Sequence, residues 1–314
     1  MSILPGISGF TPLPAEFIKR IEGIYGEKGI AWIAELPRIV ARYAQQWELE
    51  VGEPFALSYN YVVRATRLVD SLPVVLKLGV PCLEQKREAS ALLHFGARGA
   101  VPVLEADIEG GALLMPRVFP GETLEALPDQ NDDEATRAAC VVMRGLHAVP
   151  SPLPGVCDWL TAEDWGKDLT DFNAHKAVCG FADLWDRAAH VYAELLASSD
   201  APVLLHGDLH HGNILHGENG FVAIDAKGLW GESAYEAGAM LRNPHGFAVH
   251  PEAAHLTTRR LDIFADELGH DRERLRLWGF SQAVLSVIWY LEDGGTLGGS
   301  GGATLEFARL LEQA

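Results

Sequence analysis

The stretch "LLHGDLHHGNIL", residues 204–215, sets one carboxylate, one amide and three histidines between two apolar pairs. Two chemistries use such a loop: a metal held by imidazoles, or a catalytic turn that presents Asp208 and Asn213 to a phosphate. His206 and His210 are four residues apart, as in a helical zinc pair, but Gly207 and Gly212 oppose a helix there. No second cluster of Cys, His or acid at ligand spacing stands nearby, so the metal reading is the weaker one. Phosphoryl transfer needs a carboxylate beside the attacking hydroxyl and oxygen ligands for magnesium. Asp208 and Asn213 are five residues apart, the spacing of Asp and Asn in the kinase catalytic loop. Twelve residues on, Asp225 ends the apolar run "FVAID" (221–225), where a second metal-binding carboxylate belongs.

The remaining residues agree with that choice. The chain has 314 residues, 48% hydrophobic and 22% charged, enough for one large two-lobed unit or two domains. Its formal net charge of −18 disfavours nucleic acid as a partner and favours cationic ligands through steering. The four cysteines, Cys82, Cys140, Cys157 and Cys179, have no CxxC spacing and read as reduced, buried thiols. No signal peptide, membrane span or obligate protein partner is evident, and a cytoplasmic location is expected.

The first third reads as strands: "PFALSYNYVVRATRL" (54–68) and "PVVLKLG" (73–79), then a helix over 83–99 and strands in "VPVLEADI" and "GALLMPRV". This predicts a small lobe over 1–118, antiparallel strands with one helix inserted after the third. From "FPGETLEAL" (119–127) onward helices dominate, at 133–148, 181–199, 253–269, 271–292 and 304–313. The Gly-rich "GGTLGGSGG" (294–302) lacks the ending of a phosphate-binding loop and reads as a connection. In the first lobe Lys77 stands among apolar residues on a strand expected to be buried, where a lysine is costly unless paired. Glu88, eleven residues later, is the expected partner, with Glu84 as competitor.

Taken together, "VVLKLGVP", "EASALL", "GAVPVLEAD", "GALLMPRVFPG", "LHAV", "LLHGDLHHGNIL", "AIDAKGLWGESAYEAGAMLRNP" and "LSVIWYLEDGG" resemble the aminoglycoside and hydroxyurea resistance kinases. That family lies within the aminoglycoside phosphotransferase-like kinases. The resemblance runs over nearly the whole chain. It implies an α+β, two-lobed protein-kinase-like fold, with a small antiparallel sheet lobe (1–118) and a larger, mainly helical lobe (119–314). It implies an ATP- and Mg2+-dependent phosphotransferase acting on a hydroxyl, with Asp208 as catalytic base and Asn213 and Asp225 as metal ligands. Lys77 then contacts the nucleotide phosphates, held by Glu88. With Met115 as gatekeeper, the Pro116 carbonyl and the Val118 N–H are placed for adenine. The turn "ALSYNYV" lacks a glycine-rich motif, and Ser58 and Asn60 stand where the phosphates approach. His206 is read as a loop anchor.

The acceptor is less determined, because phosphoryl transfer depends on positioning more than on covalent help. The resemblance makes streptomycin or a related aminoglycoside the leading small-molecule substrate. A cationic acceptor suits acids such as Glu232 and Glu236, which could equally brace helices. A kinase of an endogenous sugar or amino alcohol, and a nucleotide-binding regulator without turnover, are the competing readings.

Overall fold

A computed structural model of the chain describes residues 11–127, 131–150, 157–171, 180–244, 246–298 and 300–313. It divides into two compact units, one formed by Met1–Gly96 with Val101–Val118 and one by Ala97–Ala100 with Phe119–Ala314.

The first unit is built on a five-stranded sheet. Strands β1 (Leu49–Pro54), β2 (Tyr61–Arg67), β3 (Leu72–Leu78), β4 (Glu105–Asp107) and β5 (Ala112–Pro116) lie in the order β1-β2-β3-β5-β4. Every neighbouring pair is antiparallel. The sequence reading runs one strand through 54–68, whereas the chain leaves the sheet between Pro54 and Tyr61. Alternation sends Val74, Leu76 and Leu78 into the main core and Lys77 to the other face.

That core is closed by α1 (Ala15–Gln46), which the strand-dominated reading of the first third does not contain. Its glycines and Pro37 lower the local helical signal, and Gly26, at φ +55°, kinks the helix. Phe17, Ile21, Trp32, Leu36, Val40 and Tyr43 nevertheless recur on one face and are buried against the strands. Helix α2 (Leu83–Phe95) buries Gln85, Glu88, Ala89, Ala91, Leu92 and Phe95, while Leu83 and Leu93 face solvent.

The second unit is mainly helical: α3 (Asp132–His147), α4 (Ala162–Trp165), α5 (Lys167–Asp171), α6 (Ala182–Ala197), α7 (Ala237–Arg242), α8 (Ala253–Leu268), α9 (Arg272–Glu292) and α10 (Ser300–Gln313). Helix α9 is apolar around most of its circumference from Leu275 to Ile288, as befits a central helix. The last helix begins at Ser300, four residues before the sequence reading starts it, so part of the Gly-rich stretch is helical. Two three-stranded sheets complete the unit. One has the order β10-β9-β6, formed by β6 (Pro120–Thr123), β9 (Ile214–Gly217) and β10 (Gly220–Ala223). The other has the order β7-β11-β8, formed by β7 (Leu160–Thr161), β8 (Val203–Leu205) and β11 (Leu229–Gly231). No helix among the described residues is long and apolar enough to cross a membrane.

Candidate active site

Strand β8 delivers the polar loop, and β9 and β10 form a hairpin immediately after it. Gly207 makes the exit from β8 possible. Its φ is +86°, and a Cβ there would stand 2.9 Å from Cβ of Leu229. His206 is fully buried, and its Nε2 donates to the carbonyl oxygen of Ile224 at 2.7 Å. A carbonyl can only accept, so Nε2 carries the proton and Nδ1 is left to accept the Asp208 N–H at 3.3 Å. The backbone N–H of Ile224 donates to the Asn213 carbonyl at 3.0 Å, and that of Lys227 to the His206 carbonyl at 2.7 Å. The loop carrying Asp208 and Asn213 is thereby tied to the segment carrying Asp225.

Asp225 itself lies two residues beyond the end of β10, exposed, at φ +63°. The strand therefore stops before the aspartate, which occupies a left-handed turn position that Asp tolerates better than most residues. Asn213 Nδ2 donates to the Asp208 carbonyl at 2.9 Å, which commits the amide nitrogen.

The Asp208 carboxylate has two neighbours at longer range. Arg242 Nη2 is 3.8 Å from Oδ1 and His210 Nε2 is 4.0 Å from Oδ2. His210 Nδ1 accepts the Gly212 N–H at 3.1 Å, so its proton sits on Nε2, toward Asp208. Burial holds the His210 ring below the usual imidazole range. These groups open onto a cavity of about 600 Å³ whose wall includes Asn243, Ser286 and Tyr290.

Glu232 and Glu236, expected as candidate acceptor contacts, do not face it. Glu236 is 2% exposed, and its two oxygens accept the backbone N–H groups of His206 at 2.7 Å and Gly207 at 2.9 Å. Burial pushes its carboxyl up, but His147, His206 and the Gly207 N–H outweigh that and leave it below the usual glutamate range. Glu232 is 4% exposed, bidentate to Arg274 at 2.5 and 2.6 Å, and accepts from Trp278 Nε1 at 3.1 Å. Both carboxylates are spent on internal donors, so they brace the fold. Acid periodicity alone cannot separate a bracing carboxylate from a ligand-facing one, because the donors come from elsewhere in the chain.

In the first unit Lys77 and Glu88 are 3% and 5% exposed, and the ammonium donates to the Glu88 carboxylate. Arg117 N–H donates to the Pro73 carbonyl, so the neighbouring Val74–Pro116 pair is a non-hydrogen-bonded one. Pro116 thus occupies a register position where its missing N–H costs the β3 ladder nothing. Ser58 is exposed on the β1–β2 connection. Asn60 is half-buried, and its Oδ1 has no hydrogen-bond partner.

Sequence reasoning passed over Arg242 and Gln282. Arg242 Nη1 reaches Gln282 Oε1 at 3.5 Å, and Gln282 Nε2 donates to the Tyr235 carbonyl at 2.8 Å. Gln282 fits because Gly238 has no side chain: a Cβ there would meet its amide at 2.4 Å. The signal lay in "AYEAGAMLRNP" (234–244), whose Tyr235, Glu236, Gly238 and Arg242 all converge on the polar loop or on Gln282.

Comparison with known proteins bears on the family and the fold. Residues 48–294 match the family model described as aminoglycoside/hydroxyurea antibiotic resistance kinase. A streptomycin 6-kinase of Streptomyces griseus is 31% identical over 276 residues, covering 86% of this chain and 87% of the relative. A hydroxyurea phosphotransferase of Kitasatospora aureofaciens is 31% identical over 295 residues, covering 92% and 83%. Among solved structures, an aminoglycoside phosphotransferase, APH(4)-Ia, in ternary complex with ADP and hygromycin B superposes with a TM-score of 0.63 at 13% identity. It covers 89% of this chain and 99% of that one. At that identity the likeness concerns the fold, a small antiparallel sheet unit and a helical unit.

Proposed function

Because this chain belongs to the aminoglycoside/hydroxyurea antibiotic resistance kinase family, we propose that it transfers the γ-phosphoryl group of ATP to a hydroxyl of a small molecule, with Asp208 as the base. As a member of a kinase family it is a phosphotransferase; the assignment of donor, metal, acceptor and residues is our reading. The observation that carries it is the cross-tie through Ile224, which holds the segments bearing Asp208, Asn213 and Asp225 in one framework, with Asp208 on the wall of a cavity.

In this reading the acceptor hydroxyl faces Asp208. Its oxygen forms the new bond to phosphorus as the bond from phosphorus to the bridging oxygen breaks. The electron pair leaves with ADP, and the hydroxyl proton passes to Asp208. Asn213 and Asp225 fit magnesium: both offer hard oxygens, Asp225 is solvent-facing, and Asn213 directs its amide nitrogen inward, leaving the oxygen as acceptor. Magnesium, when bound, neutralises phosphate charge. Lys77, fixed by Glu88, contacts the nucleotide phosphates. The Pro116 carbonyl and Val118 N–H receive adenine, and Ser58 and Asn60 line the phosphate side.

Streptomycin or a related aminoglycoside is the leading acceptor, since relatives bearing the streptomycin 6-kinase name span most of the chain. One observation favours a second reading. Among the described residues of the cavity wall the single carboxylate is Asp208, so the wall also suits an uncharged hydroxylated acceptor such as a sugar or hydroxyurea.

The test is ADP release from magnesium-ATP with streptomycin, other aminoglycosides, hydroxyurea, sugars and amino alcohols. Saturable release with streptomycin that disappears in Asp208→Ala is the expected result. Turnover of a metabolite alone moves the assignment to the second reading, and full activity in Asp208→Ala removes the base.

A further inference from the structure

We propose that Arg242 is a catalytic residue whose guanidinium contacts the transferred phosphoryl group and stabilises the charge that develops on it. The inference rests on the assignment of Asp208 as the base. Arg242 ends α7 with its side chain 16% exposed on the wall of the cavity that holds Asp208. Among the described residues of that wall it is the one Arg or Lys.

Its contacts are loose for so enclosed a guanidinium, which carries five N–H donors. Gln282 accepts from Nη1 at the long distance of 3.5 Å, and Asp208 lies at 3.8 Å, outside hydrogen-bond range. Arg260, by contrast, is saturated: Asp132 accepts from it at 2.5 to 3.1 Å, and so do three backbone carbonyls. Arg260 is structural, whereas Arg242 keeps donors in reserve beside the base. Gln282, seated over Gly238, aims it without consuming it.

The group that passes this point is a phosphoryl bearing negative oxygens. Its phosphorus bonds to the acceptor oxygen, its bond to the bridging oxygen of ADP breaks, and the acceptor proton goes to Asp208. A fixed cation placed where that charge concentrates lowers the barrier without tightening the ground state.

The test is calorimetric titration of Arg242→Ala and Arg242→Lys with ADP–aluminium fluoride and magnesium, with AMP-PNP as ground-state reference. Turnover is measured in parallel with the acceptor that the ADP-release screen returns. Arg242→Ala is expected to lose about 100-fold in affinity for ADP–aluminium fluoride, with AMP-PNP affinity kept within about threefold and kcat falling in step. Arg242→Lys, which keeps the charge and the fold, is expected to recover part of both. Unchanged affinity for ADP–aluminium fluoride overturns the proposal, and so does a raised acceptor KM at constant kcat. Asp208→Ala is run alongside: if it stays active the base assignment fails, and if it is inactive while Arg242→Ala is not, only the role of Arg242 fails.

Discussion

The Nε2 of His206 and the carbonyl oxygen of Ile224, eighteen residues apart, lie 2.7 Å from one another, the histidine buried and the isoleucine half-buried. This bond spans the polar loop and the turn that carries Asp225. It orients both without the side chain of Asp208 or Asp225 taking part. His206→Ala takes the imidazole donor from a half-buried carbonyl, which costs about 1–3 kcal/mol. The expected outcome is a lower melting temperature together with weaker magnesium-nucleotide binding, read by thermal shift with and without AMP-PNP. Equal nucleotide-dependent stabilisation in variant and parent contradicts it.

Gly207 has a backbone conformation that L side chains rarely adopt, and a Cβ would press on Leu229. Gly207→Ala therefore combines about 1–2 kcal/mol of backbone strain with a displaced loop. Turnover is expected to fall at least tenfold, with a loss of melting temperature. Gly180, whose φ is also positive but which has open space around it, serves as the control: Gly180→Ala pays the strain and leaves turnover intact.

Glu236 titrates below the usual glutamate range in the folded protein, so its sign is that of a depressed acid. Its contribution is complete above the ordinary value of 4.5 and disappears as pH falls through the lowered native value. Denaturant melts over a pH series are expected to show stability dropping in that acid window. Glu236→Gln, which cannot ionise, should lose stability at neutral pH and show a flatter dependence. Parallel profiles for parent and variant would refute the bracing role.

Lys77 and Glu88 form a buried ion pair, so removing the lysine takes a close opposite charge away from a carboxylate inside the protein. Lys77→Ala is expected to destabilise by about 3–5 kcal/mol. Lys77→Met combined with Glu88→Leu should recover much of that stability in urea melts. Nucleotide affinity should stay low in both, which separates the two roles of the pair.

Cys140 is buried in α3, and burial pushes its thiol up to about 12. Cys82 and Cys157 are half-exposed, so the expectation of uniformly buried thiols does not hold for them; Cys179 lies outside the described residues. Thiol titration of the native protein at neutral pH should modify Cys82 and Cys157 and spare Cys140 until denaturant is added. Peptide mapping showing early labelling of Cys140 would contradict its burial.

The polar loop, the buried lysine and the five longer helices described in the second unit could be read from sequence because each is a local pattern. Spacing of Asp208 and Asn213, alternation around Lys77 and the apolar face of α6 all lie within a few turns of chain. The long first helix was not legible, since its glycines and Pro37 argue against it locally and only the sheet face that it covers makes it stable.

By itself, then, the sequence determined the two-unit α+β architecture, the family and the residue types of the polar loop. Tertiary structure alone decided what its acids and cations do. Glu232 and Glu236 became braces because Arg274, Trp278 and the His206–Gly207 backbone supply their donors from distant segments. Arg242 faces Asp208 because Gln282, forty residues away, packs over Gly238. Whether a charged side chain is consumed internally or left for a ligand depends on partners that only folding brings together, and a buried charge must find such partners or lose its ionisation.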